Sequence, residues 1–355
     1  MNSILFHFPN GEELIHVQRE AAIVLRFHSP RAVLSTSLQN GGYRDDLQGI
    51  FNVNCGRPDN KNCMSLSEFS RFLDKKAEAL GLSSGKATGI GTAADMENAA
   101  VVTETYRELS VTACVTAGIK GNAGCAGDPA FYYEPDLEAA ERPGTINILL
   151  FLGAAMPPGI LTRALVTCTE AKTAALRELL AGSRYSMEPA TGTGTDSTII
   201  TADSSAPVFF HSAGKHSKLG ELIGRVVKAA VKEALRKQNG LDAKAVRHIS
   251  QIGYRYGMTE EALRRRYVEQ TGKPLPANFH SRWLAVDQNP EAVTASALFL
   301  HFIDMCRWGL AENADIVNTA RLLASHMGVK ADLRGGSKED LINFWQNILL
   351  KKLVH

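Results

Sequence analysis

Five short stretches between residues 112 and 220 bring glycines together with hydroxyl, amide and charged side chains, so the chemistry open to this chain is concentrated there. The strongest is ATGTGTDS, where Thr191, Thr193 and Thr195 alternate with glycines and run into Asp196-Ser197. The glycines permit a tight loop with converging amides, and the hydroxyls and the carboxylate supply donors, acceptors and a base. A phosphate cradle is the alternative. However, there is no G-x-x-x-x-G-K-[ST], and the G-x-G leads into a strand rather than opening a helix, which sets nucleotide hydrolysis aside.

SAGKHSKLGELIG places Lys215, His216 and Lys218 at the amino end of an amphipathic helix. Cations there oppose the helix dipole unless they meet an anionic ligand, a developing oxyanion or an acidic side chain. Asp196 is the expected partner, and a solvent-facing loop is the plainer reading for His216. TAGIKGNAGCAGDPA has four glycines and little bulk, so Asn122 and Asp128 could point into a site; a turn in which Asp128 caps its own backbone explains the same residues. In GTINI, Thr145 and Asn147 share one strand face, lining a site or bonding a neighbouring loop. In CTEAKTAAL, Glu170 and Lys172 lie two residues apart on a helix and therefore on different faces, as ligand contacts or as a solvated surface.

The elements that must position these residues are mixed over the first two-thirds and helical afterwards. AAIVLRF and RAVLSTS read as a hairpin around His28-Ser29-Pro30, followed by a glycine turn at Asn40-Gly41-Gly42. Ser65 and Glu68 form a capping-box pair, with Gly81 at the helix end. AAVVTETY, VTACVTAG, TINILLFL, STIITAD and PVFFHSAG read as strands, and Leu161 to Leu180 as a helix. A second amphipathic helix runs from Ser217 to Gln238 and covers one sheet face. Helices are expected near 242–255, 259–270, 290–309, 312–327 and 338–353. The fold expected is α/β or α+β: a mixed sheet domain covered by helices over residues 1–240, then a smaller all-helical domain over 241–355.

A chain of 355 residues, 45% hydrophobic and 21% charged, is globular in composition, and a formal charge of +2 creates no general field toward nucleic acid or lipid. The first twenty residues meet polar breaks before any leader-like apolar stretch forms, and His301, Asp304 and Arg307 interrupt the apolar run around 292–300, so no membrane association is expected. Six scattered cysteines fit a reducing cytoplasm. Cys55 and Cys63 lack a second ligand pair, so no protein-held metal or other cofactor is expected.

Taken in order, the glycine turn at Asn40, TAG with NAGCAGDPA, GTINI, TEAKTAAL, ATGTGTDS and GKHSKLGELIG resemble the adenosylcobinamide amidohydrolase family, over about residues 22–237. Cys125 departs from the family pattern, against a cysteine nucleophile. The resemblance implies hydrolysis of the amide joining aminopropanol to the corrin side chain, in corrinoid salvage, with cobalt carried by the substrate. There is no G-x-S-x-G elbow, H-E-x-x-H helix or cysteine–histidine signature. Water activated by Asp196 or His216, with Lys215 and loop amides holding the oxyanion, is the reading favoured, and Thr195 stands with these as catalytic. A threonine nucleophile from ATGTGT, freed by chain cleavage or not, is the rival. The expected substrate contacts are Asn40, Asn122, Asp128, Thr145, Asn147, Glu170, Lys172, Thr191 and Thr193. A corrinoid carrier or sensor is the non-catalytic alternative. Residues 241–282 carry eight Lys/Arg against four Asp/Glu and a helix-turn-helix outline, a DNA-binding alternative for the tail.

Overall fold

The computed structural model describes residues 2–56, 64–130, 133, 145–330, 333 and 336–354. They form two compact units: Met1–Leu179 with Pro189–Asp242, and Leu180–Glu188 with Ala243–His355.

In the first unit, β1 (Asn2–His7), β2 (Glu13–Val17), β3 (Ala22–Arg26), β4 (Arg31–Ser35), β5 (Gly42–Arg44) and β6 (Gly49–Asn54) precede helix α1 (Leu66–Ala79). Then come β7 (Ala87–Thr92), β8 (Ala100–Tyr106), β9 (Leu109–Ala117), β10 (Ala123–Gly124), β11 (Ile146–Leu152) and helix α2 (Pro158–Glu178). β12 (Gly192–Thr193), β13 (Ser197–Asp203) and α3 (Lys218–Asn239) complete it. One sheet has the order β1-β2-β3-β6-β7 and the other β5-β4-β13-β11-β9-β8. In each, one parallel pair is joined by a helix, β6 to β7 through α1 and β11 to β13 through α2, the connection that parallel neighbours require.

Alternation along the strands builds the layers. Ile23 and Leu25 meet Leu149, Phe151 and Ile199 in a core between the sheets, while Ala22, Val24, Phe51 and Val53 point the other way and pack with Leu73 and Ala77 of α1. Helices α2 and α3 pack together, α2 against β4 and β13 and α3 against β8 and β9. The unit is thus helix, sheet, sheet, helices. The cap signals were read correctly: Ser65 and Glu68 form the capping box of α1, Gly81 has φ +73°, and Ser217 accepts from the Gly220 amide at the start of α3, which ends on Gly240 at φ +68°.

Two strand expectations change. β3 and β4 form no hairpin: β3 lies between β2 and β6, and β4 between β5 and β13 in the other sheet. The chain turns from sheet to sheet at His28-Ser29-Pro30, where the His28 amide donates to buried Glu12 at 2.9 Å and Glu12 also pairs with Arg31. PVFFHSAG forms an isolated bridge, Ala155 to Phe209, and otherwise remains loop.

The second unit is helical, with α4 (Ile249–Ile252), α5 (Glu260–Thr271), α6 (Phe279–Asp287), α7 (Pro290–Arg307), α8 (Asn313–His326) and α9 (Lys338–Val354). Trp345 stacks on Phe299 with centroids 4.4 Å apart and donates to Ser296 at 3.0 Å in its core. The helix expected over 242–255 is instead two short 3-10 turns around the single turn of α4. Asp287 accepts from the Ser250 amide at 2.6 Å and anchors the start of that turn, and Gly257 at φ +67° ends the segment. Leu180–Glu188 belongs with these helices: Tyr254 donates to the Gly182 carbonyl, Arg255 to that of Met187, and Arg307 pairs with Glu188 at 2.7 Å. Among the described residues no helix is long and apolar enough to cross a membrane.

Candidate active site

The two parallel strands of the six-stranded sheet begin side by side, and the residues just before them meet. Thr145 stands before β11 and Asp196 before β13, with Asn147 opposite Ser197 in register. The Asp196 carboxylate is the hub. Oδ1 accepts from the Ile146 amide at 2.8 Å and the Thr193 hydroxyl at 2.6 Å. Oδ2 accepts from the Thr193 amide at 3.1 Å and from the Lys172 ammonium. Four donors fill the four lone-pair positions of a carboxylate. The Lys172 and Asp196 side chains are only 12% and 13% exposed, so the pair sits in a place where neither charge is well solvated alone.

Gly192 is what lets them meet. A Cβ there would lie 2.4 Å from Asp196 Oδ2 and 2.8 Å from Lys172 Nζ. Gly192 is thus a matter of space beside the ion pair.

The loops carrying the glycine motifs are joined by short β pairing, Ala123 to Thr193 and Gly124 to Gly192. Thr191 accepts from the Ala126 amide at 2.9 Å, and Asp128 accepts from the Cys125 amide at 2.7 Å, the capping role that was the alternative for Asp128. Asn122 is buried against Gly194, whose added Cβ would lie 3.3 Å from its amide nitrogen.

Beneath the loop runs a buried polar chain. Thr145 donates to the Thr195 carbonyl at 2.6 Å and lies 3.3 Å from Asn147 Oδ1. Asn147 donates to Asn52 Oδ1 at 2.8 Å and to the Gly91 carbonyl at 2.9 Å, and Asn52 donates to Thr116 at 2.8 Å. Thr145 and Asn147 do share a face, the one turned toward the other sheet. Asn52 was not anticipated, although a lone amide inside the apolar strand GIFNVN was a visible anomaly.

Other expected residues go elsewhere. Lys215 pairs with Glu170 at 2.7 Å, not with Asp196, and both are largely exposed; the lysine holds the Glu170 carboxyl below its usual range. Lys172, on the other side of α2, has already taken Asp196. His216 is exposed. Asn40, at φ +49°, donates to the Ser84 and Ala87 carbonyls, both at 2.7 Å, which docks its own turn. The hydroxyl that Asp196 receives is that of Thr193, whereas Thr195 contributes its carbonyl to Thr145. Burial pushes the thiols of Cys114 and Cys168 up to about 12 and that of Cys55 to about 11, which withholds thiolate from all three. Cys63 lies outside the described residues, among which no metal-binding group of His, Cys, Asp and Glu occurs. In the tail, Arg264 pairs with Glu260 at 2.6 Å, Arg265 lies 3.9 Å from Glu261, and Arg266 is held by Asn343 and Asn347.

Residues 6–243 match the adenosylcobinamide amidohydrolase family, a span that contains every strand from β2 to β13 and the whole Asp196 cluster. The chain belongs to this family. An uncharacterised protein of Methanocaldococcus jannaschii is 32% identical over 235 residues, 63% of this chain and 89% of that protein. Among solved structures, the PH0078 protein of Pyrococcus horikoshii is similar at 10% identity and a TM-score of 0.33, over 67% of this chain and 83% of its own. A β-aminopeptidase of Burkholderia sp. is similar at 13% identity and a TM-score of 0.31, over 61% and 78%. The family match makes the chain an amidohydrolase by kinship.

Proposed function

We propose that the chain hydrolyses adenosylcobinamide at the amide joining aminopropanol to a propionyl side chain of the corrin ring, giving adenosylcobyric acid and free aminopropanol. The observation that carries this is the family match over residues 6–243, inside which Lys172, Thr193 and Asp196 form one hydrogen-bonded cluster.

In the mechanism proposed, Thr193 Oγ attacks the amide carbonyl carbon as its proton passes to Asp196. Collapse of the tetrahedral intermediate breaks the C–N bond, and the departing nitrogen takes that proton. Water then cleaves the ester, with Asp196 again as base, releasing the acid and restoring the hydroxyl. Lys172 keeps the carboxylate aimed and balances its charge. What favours threonine over direct attack by water is occupancy: every acceptor position of Asp196 holds a protein donor, and the hydrogen bond from Thr193 is already made at 2.6 Å. Cobalt enters with the substrate, and no resident metal takes part. The free cysteines fit action in a reducing cytoplasm.

The test is incubation of purified protein with adenosylcobinamide and mass spectrometry of the products. Adenosylcobyric acid and aminopropanol in equal amounts are expected. Tight binding of unchanged adenosylcobinamide by folded protein would make this a corrinoid carrier instead.

A further inference from the structure

One motif is only half used by the reacting cluster. Of CTEAKTAAL, Lys172 turns to Asp196, while Glu170 and Thr173 line a groove of about 710 Å3 on the solvent-facing side of α2. Leu165, Val166, Thr169, Ala174, Arg177 and Glu178 of the same helix complete its lining. Val166 is 41% exposed. The groove touches the site: the Thr173 hydroxyl donates to the Thr191 carbonyl at 3.0 Å, in the strand of loop that two residues later carries Thr193. On its rim, Glu170 and Lys215 form an exposed pair at 2.7 Å that leaves further donor and acceptor positions open to solvent.

We propose that this groove is the bed for the corrin macrocycle, an inference that rests on the reading of the chain as a corrinoid amidohydrolase. A corrin is a broad, flat, apolar ring edged with amide side chains. Leu165, Val166 and Ala174 offer an apolar face to the ring. Thr169, Glu170, Arg177 and Lys215 offer hydrogen bonds to the fringe of amides, the usual division between apolar lining and a few polar groups in small-molecule sites. The tie from Thr173 to Thr191 sets the distance from bed to nucleophile, so the one side chain that ends in aminopropanol reaches Thr193 while the others remain on the rim. Thr169, Glu170, Arg177 and Lys215 thus select the substrate, and Lys172, Thr193 and Asp196 cut it.

The experiment measures KM and kcat for adenosylcobinamide, and Kd for adenosylcobyric acid by equilibrium dialysis, in wild type, Val166→Glu and Thr169→Lys. Val166 and Thr169 are exposed, so these changes leave the fold intact, which circular dichroism checks. Val166→Glu and Thr169→Lys are expected to raise KM and Kd about tenfold or more with kcat within about threefold, since an apolar contact surface of this kind governs binding by such factors. If wild type hydrolyses adenosylcobinamide and both polar variants keep its KM and Kd, the groove is not the bed and the enzymatic reading stands. If wild type binds adenosylcobyric acid, the polar variants weaken that binding and no hydrolysis occurs, the bed stands and the enzymatic reading falls.

Discussion

Asn147 of β11 donates its amide to Asn52 of β6 across the gap between the two sheets, 2.8 Å apart and with neither side chain more than 1% exposed. The pair is one link of a chain that begins at the Thr195 carbonyl, so the loop bearing Asp196 is fixed not only by its own sheet but by the sheet behind it.

Asn147→Ala leaves Asn52 Oδ1 and the Gly91 carbonyl without their donor in a buried place. A loss of about 1–3 kcal/mol per orphaned acceptor is expected. Chemical denaturation measures it, and kcat should fall with KM nearly unchanged because the bed on α2 is untouched. Unchanged stability would show that the amide chain bears no structural load.

Asp196→Asn should lower kcat by at least about a hundredfold, the ordinary contribution of a positioned base. The same change strands a poorly solvated Lys172, so stability drops too, by about 3–5 kcal/mol for a broken buried pair. Pairing it with Lys172→Met should return much of the stability and none of the activity. Thr193→Val should match Asp196→Asn in rate, and Thr193→Ser should retain measurable turnover. Near-normal turnover in Thr193→Val would return the attack to water.

Gly192→Ala pushes a methyl group to 2.4 Å from Asp196 Oδ2, with Lys172 Nζ next at 2.8 Å. The ion pair must open, and activity is expected to fall about as far as in Lys172→Met, whereas Gly159→Ala, with open space around it, should be silent. Parallel assays of the three variants check this.

Treatment with a chelator should leave hydrolysis unchanged, because cobalt is held in the corrin and the reacting residues form no ligand set. Loss of activity restored by added zinc would overturn the proposed mechanism.

A chain ending at Asp242 should fold and retain hydrolysis, since the Asp196 cluster lies in the first unit. Its segment Leu180–Glu188 would lose Tyr254, Arg255 and Arg307, and limited proteolysis should then cut there, within a fragment that still melts cooperatively. A soluble, cooperative but inactive fragment would mean that the second unit completes the site.

Local signals were readable where one residue determines one feature. Ser65 with Glu68, Ser217 and Gly240 marked helix ends through their own backbone chemistry, and the period of two in GTINI put Thr145 and Asn147 together. What the chain could not declare was pairing between distant segments. β3 and β4 are adjacent apolar strands joined by a short link, the ordinary look of a hairpin, and only a partner far along the chain, β13, draws β4 into the other sheet. The same holds for charges: Lys215 and Lys172 were both available to Asp196, and the choice depends on which side of α2 each residue occupies in space.

The Leu180–Glu188 segment has a consequence for biosynthesis. It leaves the ribosome well before Tyr254, Arg255 and Arg307 are translated, and at about 5–20 residues per second the wait lasts several seconds or longer. Over that interval α2 and the start of the Asp196 loop have been translated, while the partners of the intervening stretch have not. Slowing translation between codons 243 and 307 should therefore lengthen the time for which that stretch is open to chaperones, while the order in which the two sheets assemble stays the same.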